Sequence, residues 1–165
     1  MGSGKSKLAK ALSEELSYEL IDTDNQIEAH IGQTVSQIFD SKGEDHFRNL
    51  ETKILSGLSE KDNIVVATGG GLPCFNNNIE TINKGGTSFY LCHKTQNLTD
   101  RLFLGNEDRP LIIKYKDRTS LHPFIKINLK RREKYYFQAN FILNGDQTID
   151  SLVADVLWFK NQIGQ

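Results

Sequence analysis

Five residues near the start of the chain, Gly2-Ser3-Gly4-Lys5-Ser6, run straight into a helical pattern, and that junction narrows the possible folds more than any other feature. Leu8, Leu12 and Leu16 recur four apart with Ala9 and Ala11 beside them, which predicts a helix over 5–16 with one apolar stripe to bury. Glycines at its threshold let the backbone wrap an anion. The helix start turns unpaired N–H groups and the positive end of its dipole towards that anion. The run matches the second half of G-x-x-x-x-G-K-[ST], in which the lysine reaches phosphate oxygens and the hydroxyl binds Mg²⁺. The alternative, a glycine-rich start with no ligand, leaves the helix that follows at once unexplained. The motif's first glycine would lie two residues before Met1, and the strand that feeds such a loop before that. The natural protein is therefore expected to be about ten residues longer at its N-terminus, a strand plus a loop.

Beyond that helix, short β-forming runs alternate with longer helical stretches, the pattern of an α/β protein with a parallel sheet. Strands are predicted at 18–22, 63–68, 87–91 and 139–143. Helical segments fall near 27–39, broken at Gly32, then at 47–58, 120–136 and 149–159. A polar, aperiodic stretch at 105–118 is expected to be a lid. One domain over 1–165 fits the length. A net charge of -1 offers a polyanion no overall attraction, so nucleic acid is not an expected partner. No apolar run is long enough for a membrane span. Cys74 and Cys92 have no metal-ligand spacing, and reduced thiols in a cytoplasm suit them. His30, His46, His93 and His122 show no ligand-like grouping.

Five further groups of residues carry chemistry. Asp22-Thr23-Asp24 ends a predicted strand, where carboxylates face a ligand at the sheet's C-terminal edge. One can organise Mg²⁺ while the other accepts a proton from a hydroxyl, although Asp24 could equally be a helix N-cap. Arg48 and Glu51 share a helix face, either as a rigid fork for a carboxylate or as a solvated surface pair. Thr68-Gly69-Gly70-Gly71 clears side chains from a ligand's path and offers backbone N–H groups, or is merely a tight strand exit. Asp108-Arg109-Pro110-Leu111 sits in the predicted lid, where an arginine can neutralise a transferring phosphoryl group, or belongs to a solvated loop. Lys130-Arg131-Arg132 is, taken alone, a basic helix face.

Taken in order over nearly the whole chain, these motifs resemble those of shikimate kinases. The resemblance implies a P-loop three-layer α/β/α fold with a parallel sheet in the order 2-3-1-4-5, the first strand being truncated here. It implies transfer of the γ-phosphate of ATP to the 3-hydroxyl of shikimate, in chorismate and aromatic amino acid biosynthesis, by a cytoplasmic monomer. Asp24, Lys5 and Arg109 are then the catalytic residues. Shikimate falls to Asp24, Arg48, Glu51, Gly69, Gly70, Gly71 and Arg131, with Gly70 the main contact among the glycines. The nucleotide falls to Gly2, Ser3, Gly4, Lys5, Ser6, Lys7, Arg101 and Arg109, and one Mg²⁺ to Ser6 and Asp22. Arg131, Tyr135 and Ala139 meet the family's spacing of an arginine, a tyrosine and an alanine four apart; Arg132 is the rival. The alternatives are a small P-loop kinase for gluconate or a nucleoside monophosphate, and an inactive nucleotide-binding module left by the truncated loop.

Overall fold

The computed structural model describes residues 2–105, 112 and 115–163. Helix α1 (Lys5–Leu16) buries Leu8, Ala9 and Leu12 along the predicted stripe and leads into β1 (Glu19–Asp22). Helix α2 (Thr23–Ile31) follows with no intervening loop. Helix α3 (Val35–Leu58) opens on a capping box in which the Thr34 side chain accepts from the Gln37 amide and the Gln37 side chain from the Thr34 amide. Gly43 interrupts α3 at φ 81°, a conformation that favours glycine, and the second half sets off in a new direction. Strand β2 (Ile64–Ala67), a 3₁₀ turn (Leu72–Cys74), α4 (Asn78–Gly85), β3 (Phe89–Cys92) and α5 (Thr95–Leu104) come next. Helix α6 (Arg118–Tyr136), β4 (Phe141–Asn144) and α7 (Ile149–Ile163) complete the order.

The four strands form two parallel pairs, β1 with β2 and β3 with β4. They fill positions 2-3 and 4-5 of the expected order. Position 1 falls on a cavity of about 530 Å³ lined by Val65, Val66 and Ala67 on one side and by Phe89, Tyr90 and Leu91 on the other. The halves are joined beneath it, because Leu8 and Leu12 of α1 pack in one cluster with Leu91, Leu143, Leu152 and Val156, and Val65 packs against it. Each such side chain taken from water contributes about 1.5–3 kcal/mol. A second cluster holds α5 to α6 through Leu98, Leu102, Leu121 and Ile125; a third, around Ile27, Ile38 and Phe47, holds α2 to α3.

Register decides what the C-terminal edges present. Asp22 lies opposite Ala67, so Thr23-Asp24 and Thr68-Gly69 leave the sheet side by side. Cys92 lies opposite Asn144, so His93 and Gly145-Asp146 do the same in the other pair. Parallel strands end at one edge, and the start of α1 lies beside both.

Candidate active site

The glycine-rich loop has the geometry its sequence implies. Gly4 caps α1 at φ 84° with no side-chain cap bond, which leaves the first N–H groups of the helix for a ligand. Gly2 and Gly4 both sit at positive φ, and Leu8 N closes the first helical turn on the Gly4 carbonyl at 3.0 Å. Lys5 is half-buried and close enough for its charge to draw down the Asp24 carboxyl. Ser6 and Lys7 are exposed. Arg101 donates to the Gly145 carbonyl at 3.5 Å and lies 3.9 Å from where a side chain on Gly4 would begin, beside the loop as expected.

The two aspartates have different jobs. Asp22 is the N-cap of α2, its Oδ1 accepting from the Asp24 and Asn25 amides at 3.1 and 3.4 Å. Its Oδ2 accepts from Ser6 Oγ at 3.2 Å. Capping therefore belongs to Asp22, and Asp24 is left for something else. Asp24 Oδ1 is buried with no hydrogen-bond partner among the described residues, and so is Glu51 Oε1. Burial pushes the Asp24 carboxyl above its ordinary value, Asp22 adds to that, and Lys5 opposes it. Burial also raises Glu51, against the pull of its hydrogen bond from Arg48.

Arg48 and Glu51 are not a solvated pair: they are 8% and 1% exposed. Arg48 Nη1 donates to Glu51 Oε2 at 2.7 Å, while Nε and Nη2 donate to Glu44 Oε1 at 3.1 and 2.7 Å. Its guanidinium lies 4.3 Å over the Phe75 ring, with Phe39 and Phe47 at 5.6 and 5.4 Å. The fork is thus held by two carboxylates and three rings. Those bonds use three of its five N–H groups, and two are left for a planar acceptor.

The glycines serve close approach more than donation. A Cβ on Gly69 would stand 2.5 Å from Asp24 Oδ1 and 2.9 Å from Glu51 Oε1, and one on Gly71 would collide with the Arg48 guanidinium. The expectation that this run offers its N–H groups to a ligand is corrected at Gly69, whose amide donates to buried Thr23 Oγ1 at 2.8 Å. The Gly70 carbonyl accepts from Tyr136 Oη at 2.6 Å. Because Gly71 has ordinary helical angles, Gly71→Ala tests sterics alone. It should cost about 1–3 kcal/mol of stability by overpacking, displace the fork and raise the requirement for an acidic substrate, as denaturant melts and kinetics would read.

On α6 the two candidate arginines have different surroundings. Arg131 is exposed, whereas Arg132 is half-buried and acts by charge on Tyr136, Glu51 and Cys74. Helix α6 ends at Tyr136, so the spacing to Ala139 carries no information about a helix face. Tyr136 lies four residues beyond Arg132 on its face, and sequence reasoning had passed over it, as it had Thr23, Glu44 and Phe75. Asp108, Arg109, Pro110 and Leu111 lie outside the described residues.

Oxygens of Ser6 and Asp22 suit a small hard cation, and among the described residues no group of three or more His, Cys, Asp or Glu could hold a metal. A helix-start anion loop facing a pair of unsatisfied carboxylates and a braced arginine, all at one edge of a parallel sheet, is the layout of a P-loop phosphotransferase.

Comparison with known proteins narrows the class. The shikimate kinase family profile matches residues 1–159. A curated shikimate kinase of Bacteroides fragilis is 39% identical over 91% of this chain and 83% of its own, and that of Azobacteroides pseudotrichonymphae is 41% identical over 86% and 84%. The crystal structure of shikimate kinase from Bacteroides thetaiotaomicron superposes with a TM-score of 0.92 at 35% identity, covering 98% of this chain and 94% of that one. Shikimate kinase from Acinetobacter baumannii, solved in complex with shikimate, gives 0.85 at 29% identity over 98% and 89%. The chain belongs to the shikimate kinase family. No helix among the described residues is long and apolar enough to cross a membrane.

Proposed function

We propose that the protein transfers the γ-phosphate of ATP to the 3-hydroxyl of shikimate, giving ADP and shikimate 3-phosphate. The observation that carries this reading is the buried, unpartnered Asp24 Oδ1 set beside Glu51 and Arg48 across Gly69–Gly71. These groups suit a small acidic polyol: a braced guanidinium for its carboxylate and unpaired carboxylate oxygens for its hydroxyls. Gly2 to Lys7 hold the phosphates, with Arg101 and Arg109 at the nucleotide. Asp24 accepts the proton of the attacking hydroxyl, aligned by Arg48 and Arg132 for in-line displacement. Ser6 and Asp22 hold Mg²⁺, which when bound neutralises phosphate charge. Tyr136 keeps Gly70 in place through its carbonyl. AMP has no carboxylate for the fork; gluconate, an acidic polyol too, is disfavoured because the chain belongs to the shikimate kinase family.

The test is ADP release with Mg-ATP and shikimate, gluconate or AMP in turn. Turnover with shikimate alone is expected. Turnover with a control alone sinks the substrate assignment, and nucleotide binding without any turnover favours an inactive module.

The arginine register has its own test. Arg132→Ala should raise the shikimate KM about tenfold or more, the loss of a charged hydrogen bond worth at least about 1.5 kcal/mol, and Arg131→Ala should change it less than about twofold. The opposite order would return the role to Arg131. We further propose one cytoplasmic domain acting as a monomer. A solution mass of a single chain and recovery in the cytosolic fraction are the expected results; a larger particle or recovery elsewhere would overturn the respective part.

A further inference from the structure

His93 stands outside the site just described, yet it is in contact with it. Its ring is wholly buried, with Nδ1 2.8 Å from Asp146 Oδ1 and Nε2 2.9 Å from the Ser3 carbonyl oxygen. Gly145 lies so close to the ring face that a Cβ there would overlap it. Asp146 is fixed in turn, its Oδ2 accepting from the Lys94 amide at 3.4 Å. The parallel register of β3 and β4 brings these groups together, since Cys92 and Asn144 end level.

We propose that His93 is a positioning residue for the phosphate loop, tying the Ser3 carbonyl to Asp146 and so fixing the direction in which the Gly4 amide donates. The inference rests on the reading of Gly2–Lys7 as the nucleotide site. A planar trans peptide points its C=O and N–H in opposite directions, so pinning the Ser3 carbonyl away from the ligand turns the Gly4 N–H towards it. That peptide joins Ser3 to Gly4, and the positive φ of Gly4, a soft glycine dihedral, leaves its orientation weakly determined from within. The ring supplies what the loop lacks.

Both neighbours of the ring are acceptors only, a carbonyl and a carboxylate, so each contact needs hydrogen on the nitrogen that faces it. A ring carrying hydrogen on both satisfies the pair. A neutral ring sets one lone pair against an acceptor. Burial opposes ionisation of the Asp146 carboxyl, but hydrogen bonds from His93, Asn97 and the Lys94 amide hold it below its ordinary value. Arg101, which bonds the Gly145 carbonyl, and Lys94, next in the chain, are charged groups close to the ring.

The variants separate donor from bulk. His93→Leu keeps the volume and loses both donors; His93→Gln carries an amide N–H that reaches the place of Nε2. Calorimetry with Mg-ADP should show at least tenfold weaker binding for His93→Leu and binding within threefold of the native protein for His93→Gln. In steady state the loss should appear in the KM for Mg-ATP and leave the shikimate KM within twofold. Equal binding by all three proteins overturns the proposal, as does equal weakening of Leu and Gln, which would mean packing alone. If His93→Leu does not fold, His93→Asn against His93→Gln decides: the Asn amide reaches only the place of Nδ1, so weaker Mg-ADP binding in His93→Asn and retained binding in His93→Gln support the donation to Ser3, and any other order refutes it. A native protein that binds no Mg-ADP would sink the nucleotide-site reading itself, a result distinct from variants that bind as well as the native chain.

Discussion

Asp24→Asn should lower turnover with Mg-ATP and shikimate by roughly 10²–10⁴-fold, the range for removing a positioned general base, while leaving Mg-ADP affinity within about threefold. The same change should make the protein more stable at neutral pH. The Asp24 carboxyl is raised by burial and by Asp22. A carboxyl whose folded pKa exceeds its unfolded value of about 3.9 loses stability as it ionises. Its contribution is complete below the unfolded value and gone once pH has risen through the folded one. Asparagine has nothing to ionise, so the gain in Tm should be present at pH 7.5 and vanish towards pH 4. Thermal melts at both pH values, beside a turnover assay, check the pair of outcomes. The native enzyme should also lose kcat/KM as pH falls through the raised pKa, because the protonated acid accepts nothing. Retained turnover in the variant, or a lower Tm at pH 7.5, would mean that Asp24 serves the fold and not the reaction.

How far this could be read from the chain depends on whether a feature is local or made by tertiary contact. Period and run length are local. Helix α1 therefore has the limits its leucines predict, and β1 to β4 lie within one or two residues of their apolar runs. The Asp22-Thr23-Asp24 triplet shows where sequence stops: either carboxylate can cap a helix by composition. Only the register of β1 on β2 sets Asp24 against Gly69 and leaves Asp22 over the helix start. Arg131 and Arg132 differ by about 100° on a helix, and a spacing carried past the end of α6 could not choose between them. The triple glycine was legible as space, but not as space for Asp24, Glu51 and Arg48, since those side chains come from two other elements. His93 and Asp146 lie far apart in the chain and carry no motif. They meet because two parallel strands end together, a fact of pairing that periodicity does not contain.

Arg48→Ala should combine a binding loss with a folding loss, and the two can be pulled apart. Glu51 is 1% exposed and accepts its bond from Arg48 at 2.7 Å. Removing the guanidinium strands a buried carboxylate, which costs about 3–5 kcal/mol, enough to threaten a domain of ordinary stability. The guanidinium also carries the proposed contact to the substrate carboxylate, so the shikimate KM should rise by roughly 30-fold or more, the loss of about 2 kcal/mol or more of charged bonding. Adding Glu51→Gln removes the stranded charge and should recover much of the stability, read as the midpoint of denaturant unfolding. It supplies no cation, so the shikimate KM of the double variant should stay raised while Mg-ADP affinity is unchanged. If the second change restored the KM along with the midpoint, Arg48 would act on the substrate only by holding Glu51 and the 69–71 backbone in place. A KM in the refolded double variant that stays well above that of Glu51→Gln alone would instead place the guanidinium against the substrate itself.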